Sequence, residues 1–438
     1  MNKVVFVYSG FGSQWQGMGK NLYEVGGIFA ETIDKIEKIY CDLSKVSIKK
    51  LIFSDEPEKT EKSIHYIMAV TAIQIGLTEY LKDYGIKPDC IIGHSLGSVS
   101  AAYAAGVIDI QSCLKIIFSH TNIIAEIADK GLIASVSMPS LEIQKIIEQN
   151  KYKIEITSIN SSEDTLIAGE KKDIEILIKN LKEQSILCGI INTNAALHHS
   201  MAKDIVSKYY DSLKDIKHFE PQIPVYCSYT QKQNMFSDYS YNYWLIQLCN
   251  GLNFKKTIND VLDKENRIFI EIGPHPTLTE YIRKICIERK IMDYSVFCPM
   301  YKEESEYETI AELIVNLQEN KINCINIPGN IIKHIDELKN LREKDFDNNT
   351  YAQTKSDKKN IFVSLIEQTL KKIIKNPGKN EFDGNTGFFE LGLDSAGVIK
   401  FTRVISKKIG KKLNAHTAFD YPTINKYADY LTGLAGTE

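Results

Sequence analysis

No run of the chain reaches the ~20 consecutive apolar residues that a membrane-spanning helix needs, so no span is expected. There is no CxxC pair either. The nine cysteines (Cys41, Cys90, Cys113, Cys188, Cys227, Cys249, Cys286, Cys298 and Cys324) are odd in number and irregularly spaced. That usage argues for reduced thiols in a cytoplasmic protein, and against a disulfide scaffold or a zinc or other metal site. A large excess of either charge is missing too: 53 Lys and Arg face 56 Asp and Glu, a net charge of −3 that excludes a strongly basic nucleic-acid binder. No internal repeat is found. The opening Val4-Val5-Phe6-Val7-Tyr8 runs into Ser9-Gly10 before a secretory apolar region could form, and reads as a buried strand. With 43% hydrophobic and 25% charged residues, the chain matches soluble globular proteins and not collagen-like, coiled-coil or disordered ones. At roughly 100–200 residues per domain, its 438 residues suggest two or three units.

From residue 4 to about 327, short β-branched runs alternate with helix-period segments. Strands are expected at 4–8, 90–92, 154–159, 224–227 and 268–272, with amphipathic helices at 67–84 and 98–105 between them. Alternation of this kind predicts an α/β layer with a largely parallel sheet. Residues 131–191 read differently. Strand-like 132–137, helical 140–149, strand-like 154–159 and 165–168, and helical 172–184 form a compact α+β pattern. It is either a small subdomain inserted into the larger one or a continuation of the main sheet. Residues 342–358 are nearly free of apolar side chains and read as a linker. From 359 to 438 helical periodicity resumes (Phe362, Leu365, Ile366, Leu370, Ile373) with no strand signal, which predicts a small helical bundle. This tail holds a charge of +4 and the rest of the chain −7, opposite signs that would favour docking of one part on the other, although solvated faces are the commoner cause.

The most informative stretch is Cys90-Ile91-Ile92-Gly93-His94-Ser95-Leu96-Gly97 followed by a helix of small residues. It is a G-x-S-x-G elbow in which an apolar strand turns sharply into a helix and the serine projects from the apex. Unpaired amides and the positive helix end behind Ser95 suit a developing oxyanion. A serine hydroxyl needs a base. Among nine histidines, the pair His198-His199 in Ala195-Ala196-Leu197-His198-His199-Ser200 is the attractive candidate, and pattern alone does not choose between the two.

These residues carry a resemblance. Residues 3 to about 326 resemble the malonyl-CoA:acyl-carrier-protein transacylases and the acyltransferase domains of type I polyketide and fatty-acid synthases. Ser9-Gly10-Phe11-Gly12-Ser13-Gln14-Trp15-Gln16-Gly17-Met18-Gly19 is similar to the family's N-terminal GQGSQ-x-x-GMG loop, and Gly93-His94-Ser95-Leu96-Gly97 to its GHSLG box. His199-Ser200 matches its HS dipeptide, which implies His199 as the base with His198 as fallback. Tyr243-Trp244-Leu245-Ile246-Gln247-Leu248 resembles the segment whose backbone carbonyl orients that base, which implies the role for Gln247. Glu271-Ile272-Gly273-Pro274-His275-Pro276-Thr277-Leu278 matches the closing motif. The resemblance implies an α/β-hydrolase-like core with an inserted ferredoxin-like subdomain. Residues 359–438 resemble an acyl carrier protein, a four-helix, all-α bundle. There Leu391-Gly392-Leu393-Asp394-Ser395 is the attachment box, implying covalent 4′-phosphopantetheine on Ser395, and Phe419-Asp420-Tyr421-Pro422-Thr423-Ile424 matches a second segment. Bottom-up, Asp394-Ser395 opens a helix with Val398, Phe401, Ile405 and Ile409 on one face and Gly410 as its stop. The implied domains are 1–326 with the insert at 131–191, a connecting segment and linker at 327–358, and the carrier at 359–438.

Two positions depart from the family. The first Gln of its N-terminal loop is Phe11 here, where the family uses the backbone amide, so Phe11 and Leu96 are expected to form the oxyanion hole. The family's carboxylate-binding Arg falls on His120, 25 residues beyond Ser95. A neutral imidazole offers one donor where a guanidinium offers a permanent charge and a fork. The resemblance therefore implies transfer from acyl-CoA through Ser95 to the carrier thiol, of a starter acyl group without a free carboxylate. A protonated His120 or another cation would instead preserve malonyl selectivity. A hydrolase using the same pair, or an inert carrier and docking module, are the remaining readings. Expected partners are a phosphopantetheinyl transferase and a downstream ketosynthase or other synthase module, since no ketosynthase or reductase segment is present.

Overall fold

In the computed structural model of the protein, residues 3–54, 65–128, 130–191, 195–302, 304–348, 355–374, 383–393, 395–409, 413 and 417–434 are described. The chain divides into two compact units, Met1–Ile332 and Lys333–Glu438. In chain order the strands are β1 (Lys3–Tyr8), β2 (Cys90–Gly93), β3 (Leu132–Ser137), β4 (Ile154–Ile159), β5 (Asp164–Gly169), β6 (Cys188–Ile191), β7 (Val225–Cys227), β8 (Lys232–Asn234), β9 (Leu252–Asn253), β10 (Asn266–Ile272) and β11 (Ser295–Phe297).

Six of them form one sheet in the order β11-β10-β1-β2-β7-β8. Every pairing is parallel except the β7–β8 hairpin. Val4 through Tyr8 in β1 and all of β2 are buried, because a parallel sheet is covered on both faces and its strands must be apolar throughout. One cover is the helix Tyr66–Asp83, whose burial extends around most of its circumference. The other includes Phe254, Ile258 and Val261 with Ile282 and Ile285, packed on Val5, Val7, Ile92 and Phe269. Register aligns Tyr8 with both Ile272 and Gly93, and Gly93 with Cys227. The carboxyl ends of β1, β2, β7 and β10 therefore finish at one level, and the loops that follow them converge there, where open α/β sheets carry their sites.

Residues 131–191 form a second sheet, not a continuation of the first. Its order is β6-β3-β5-β4-β9, with antiparallel pairings among β3 to β6. The helices Ser140–Asn150 and Lys171–Glu183 complete a β-α-β-β-α-β unit around Ala134, Val136, Ile143, Ile147, Ile167, Ile174, Leu177 and Leu181. Its fifth strand comes from outside the insert: β9 pairs in parallel with β4 through Ser158 and Ile159.

The second unit holds helices Lys355–Ile373, Ser395–Lys408, Thr417–Asp420 and Ile424–Leu434. They enclose Ile366, Leu370, Phe388, Leu391, Leu393, Val398, Phe401, Ile405, Ile424, Tyr427 and Leu431. Ile409, expected on the apolar face, is only partly buried. Asp394 and Gly410 lie outside the described residues.

Within the stretch 342–358 read as a linker, a helix that starts at Gly329 continues to Asn348 and the first bundle helix starts at Lys355. The sequence hides it because a helix this polar offers little apolar stripe. Ile331 and Ile335 are buried, while ion pairs Lys333–Glu337 and His334–Glu337 line its surface. No helix among the described residues is long and apolar enough to cross a membrane.

Candidate active site

Ser95 stands between β2 and the helix Gly97–Ala104, with φ at 54°, the left-handed region that side chains rarely adopt. The turn is this tight because its neighbours are glycines. A Cβ on Gly97 would collide with the carbonyl oxygens of Tyr8 and Ser9, and one on Gly93 would stand 2.6 Å from Ser98 Cα. The loop after β1 lies directly against the serine: a Cβ on Gly10 would be 3.0 Å from Ser95 Cβ and 3.2 Å from its Oγ. That loop is held by buried Gln74, which donates from Nε2 to the Ser9 carbonyl at 2.8 Å and accepts from Ser100 Oγ at 2.7 Å. Leu96 follows Ser95 directly and Phe11 follows Gly10, the residue packed against the serine, and neither of their amides meets an acceptor among the described residues.

The histidine that meets the serine is His198. Its Nε2 lies 2.7 Å from Ser95 Oγ, and its Nδ1 donates to the backbone carbonyl of Gln247 at 2.8 Å. A carbonyl only accepts, so Nδ1 holds the proton and the Nε2 lone pair faces the hydroxyl. Burial pushes the imidazole down to about 4, against the raising effect of the Gln247 and Asn250 backbone, so it is neutral at pH 7. His198 also has φ at 58°, and its amide donates to the Leu248 carbonyl at 2.7 Å.

The choice of His199 is thereby corrected. His199 is buried, but its Nδ1 accepts from the Met201 amide at 3.0 Å and its Nε2 lies 3.7 Å from Glu155 Oε1. The left-handed turn at His198 sends the two neighbouring imidazoles to different sides of the loop. Burial lowers the His199 pKa as well, with Glu155 opposing.

Gln247 acts through its side chain too. Its Oε1 accepts from Ser98 Oγ at 2.8 Å and its Nε2 donates to the Trp244 carbonyl at 3.3 Å. Ser98 Oγ lies 2.8 Å from the Ser95 carbonyl as well, so its single hydrogen is shared between the two acceptors and Ser98 joins the Ser95 turn to the Gln247 segment. The motif that pointed to Gln247 held no hint of Ser98.

His120 is fully buried and its Nε2 donates to the same Trp244 carbonyl at 2.8 Å, leaving Nδ1 as a buried acceptor without a partner. Burial lowers it to about 4, with nearby His198 adding to the shift and the Trp244 carbonyl opposing it. His120 is a neutral imidazole, not a cation. His94, inside the elbow, is likewise lowered by burial, to about 3, and its Nδ1 meets Ser228 Oγ at 2.9 Å.

Glu271 accounts for the closing motif. Its buried carboxylate takes four bonds of 2.8–2.9 Å: the Thr277 amide and hydroxyl on Oε1, the Leu278 and Thr279 amides on Oε2. It thus caps the helix Thr279–Glu288 and fixes the loop after β10, whose Pro274 carbonyl accepts from Trp15 Nε1 at 2.8 Å.

In the second unit Ser395 is the first residue of a 14-residue helix. The preceding turn is pinned by Leu391 and Leu393 in the core and bends at Gly392, with φ of 101°. A phosphodiester on a residue so placed would lie at the positive end of that helix, so the site fits the group.

Residues 5–323 match the family model described as "Acyl transferase domain", and residues 364–431 match "Phosphopantetheine attachment site". Among curated proteins, the chain is 31% identical over 294 residues to probable polyketide synthase 2 of Dictyostelium discoideum, covering 64% of this chain and 10% of that one. It is 26% identical over 302 residues to a mycocerosic acid synthase-like polyketide synthase of Mycolicibacterium smegmatis, covering 68% and 14%. The chain thus spans only about a tenth to a seventh of these relatives. Among solved structures it superposes on the acyltransferase domain from the second module of the salinomycin polyketide synthase with a TM-score of 0.68 at 19% identity, covering 74% of this chain and 75% of that one. The helical second unit is a carrier domain of the kind that bears covalent 4′-phosphopantetheine. Serine elbow, buried histidine, α/β core with its inserted sheet and matching family model converge: the chain belongs to the acyl transferase domain family, with a phosphopantetheine attachment domain after it.

Proposed function

We propose that this protein moves an acyl group from acyl-CoA, through an ester on Ser95, to the thiol of a phosphopantetheinylated carrier, its own Ser395 or a separate one, in polyketide-type biosynthesis. His198 takes the Ser95 proton as Oγ attacks the thioester carbonyl. The C–S bond breaks and the proton passes to the departing CoA sulfur. In the second half His198 takes the proton of the acceptor thiol as its sulfur attacks, and returns it to Ser95 Oγ as the ester bond breaks. The amides of Phe11 and Leu96 stabilise the oxyanion in both halves. The Gln247 carbonyl holds His198 in the tautomer that can accept, and steadies the imidazolium that forms. Phosphopantetheine, when bound at Ser395, supplies the accepting thiol. A phosphopantetheinyl transferase would load that serine, and a ketosynthase or other synthase module would take up the product.

The acyl group, in this reading, has no free carboxylate. The observation that carries it is His120: fully buried, neutral, and committed through Nε2–H to the Trp244 carbonyl. A malonyl carboxylate brought to it would meet no charge, and an unpaired buried carboxylate costs several kcal/mol. Intact-mass measurement of the full chain with acetyl-, isobutyryl- and malonyl-CoA tests both statements. Simple acyl groups should label the protein, and Ser95→Ala should abolish labelling of residues 1–332. A clear preference for malonyl rejects the specificity; no labelling of Ser95 by any of the three rejects the transferase.

A further inference from the structure

Glu155 belongs to none of the motifs and sits on β4, in the inserted sheet. Its half-exposed carboxylate reaches the loop that bears the base: Oε2 accepts from the Ser200 amide at 3.0 Å and Oε1 from the Ser200 hydroxyl. Oε1 is also the atom 3.7 Å from His199 Nε2. Two bonds to successive polar groups of one residue, both charge-assisted, fix Ser200 in position and in orientation.

Ser200 is two residues beyond His198. A side-chain-bearing residue with φ near 58° keeps that conformation only where its surroundings over-determine it. At His198 one restraint acts within the residue itself, from its amide to the Leu248 carbonyl. The restraint on the far side is Glu155, seconded by the His199 side chain, which folds back onto the Met201 amide. The inserted sheet is joined to the other side of the site as well, since β9 follows Gln247 by a few residues and pairs with β4. One strand of the insert thus steadies both the histidine loop and the segment whose carbonyl orients it.

We propose that Glu155 is a positioning residue for acyl transfer, clamping Ser200 so that His198 Nε2 stays at Ser95 Oγ. The proposal rests on the Ser95–His198 reading above. Burial and the Gln247 and Asn250 backbone are what shift His198, so Glu155 acts on the place of the imidazole and not on its charge. A displacement of about 1 Å in such a pair lowers the rate by up to about 10²-fold.

The test is single-turnover acylation of Ser95 in the full chain, with whichever of acetyl-, isobutyryl- or malonyl-CoA labels the wild type. Glu155→Ala should slow acylation at saturation by roughly tenfold to a hundredfold with the half-saturating concentration within about twofold of wild type. Glu155→Gln, which can still accept from Ser200, should recover most of the loss. Glu170→Ala removes a surface ion pair to Lys153 in the same subdomain without touching the loop, and should match wild type. Wild-type acylation by Glu155→Ala, a loss confined to half-saturation, or no rescue by Glu155→Gln overturns the proposal. Should Glu155→Ala fail to fold, Ser200→Ala decides: it must slow acylation with half-saturation unchanged, and a wild-type rate overturns the proposal. An unlabelled wild type overturns the transferase reading, and the clamp with it; a labelled wild type with an unimpaired Glu155→Ala overturns the clamp alone.

Discussion

Ser95 Oγ and His198 Nε2 stand 2.7 Å apart, and both residues hold left-handed backbone, with φ of 54° and 58°. Two strained turns, one after β2 and one before the 3-10 turn Ser200–Ala202, aim the serine hydroxyl and the imidazole at each other. Neither turn is a glycine, so each is kept by the contacts around it: close glycine packing behind Ser95, backbone and carboxylate bonds around His198.

The pair separates His198 from His199 by experiment. His198→Ala should slow Ser95 acylation by about 10²- to 10⁴-fold, the usual worth of a general base. His199→Gln should stay within a few-fold of wild type, since His199 reaches Met201 and Glu155 but not the hydroxyl. Pre-steady-state acylation of the two variants measures both. A severe loss in His199→Gln with an active His198→Ala would reverse the assignment.

His198 accepts a proton only when neutral, and burial lowers it to about 4. The acylation rate should therefore be flat through neutral pH and fall only as pH drops toward 4. An ordinary imidazole would give an inflection near 6.5. Stability should respond earlier. His94, His120 and His198 are all lowered by burial, to about 3, 4 and 4, while in the unfolded chain they bind protons near 6.5. With more protons on the unfolded state, stability is complete above pH 6.5 and is lost as pH falls from there toward the folded values. The loss is at most about 1.4 kcal/mol per pH unit for each histidine. Urea midpoints of the first unit at pH 7.5, 6 and 5 should decrease in that order. Unchanged midpoints would mean that these imidazoles titrate normally.

His120 offers a gain-of-specificity measurement. His120→Arg supplies the charge and fork that the imidazole lacks, so the ratio of malonyl to simple acyl transfer should rise at least about tenfold, or 1.4 kcal/mol. His120→Gln keeps a donor for the Trp244 carbonyl and should leave the ratio unchanged. Competition between malonyl-CoA and acetyl-CoA, read by mass on Ser95, reports both ratios. A malonyl preference already present in wild type would show that the carboxylate finds another partner.

Much of this was legible in the sequence, and for identifiable reasons. Apolar runs in the main sheet end at or close to glycine in β1, β2 and β10, which fall within two residues of where periodicity puts them. Ser95 was legible because its strand, glycines and helix are contiguous. What failed was non-local or unpatterned. His198 and His199 are adjacent and chemically identical, and only a backbone angle decides which one turns to the serine. Glu155 meets Ser200 across 45 residues, and β9 is two residues long; neither leaves a periodic trace. Among the described side chains of the helix Gly329–Asn348, Ile331 and Ile335 alone are buried, so its polar sequence resembles a linker's.

Glu271 links motif to fold most directly, and isosteric replacement tests it. Its two oxygens accept four donors, three of them backbone amides at the start of the helix Thr279–Glu288. Burial pushes the carboxyl pKa up and those donors oppose the shift, so the charge is tolerated because the amides face it. Glu271→Gln keeps the shape but replaces one oxygen by an amine that turns its hydrogens toward donors. The flip that turns the amide nitrogen toward Thr277 costs least, because that hydroxyl can rotate and accept from it, and it still leaves the Thr277 amide without an acceptor inside the core. At ~1–3 kcal/mol for a buried unsatisfied group, the first unit should lose about 1–3 kcal/mol, seen as a lower urea midpoint at unchanged slope. Ser95 and His198 stand on other loops, so acylation per folded molecule should change far less than stability. A variant as stable as wild type would mean that the helix start is held by its neighbours and not by the carboxylate.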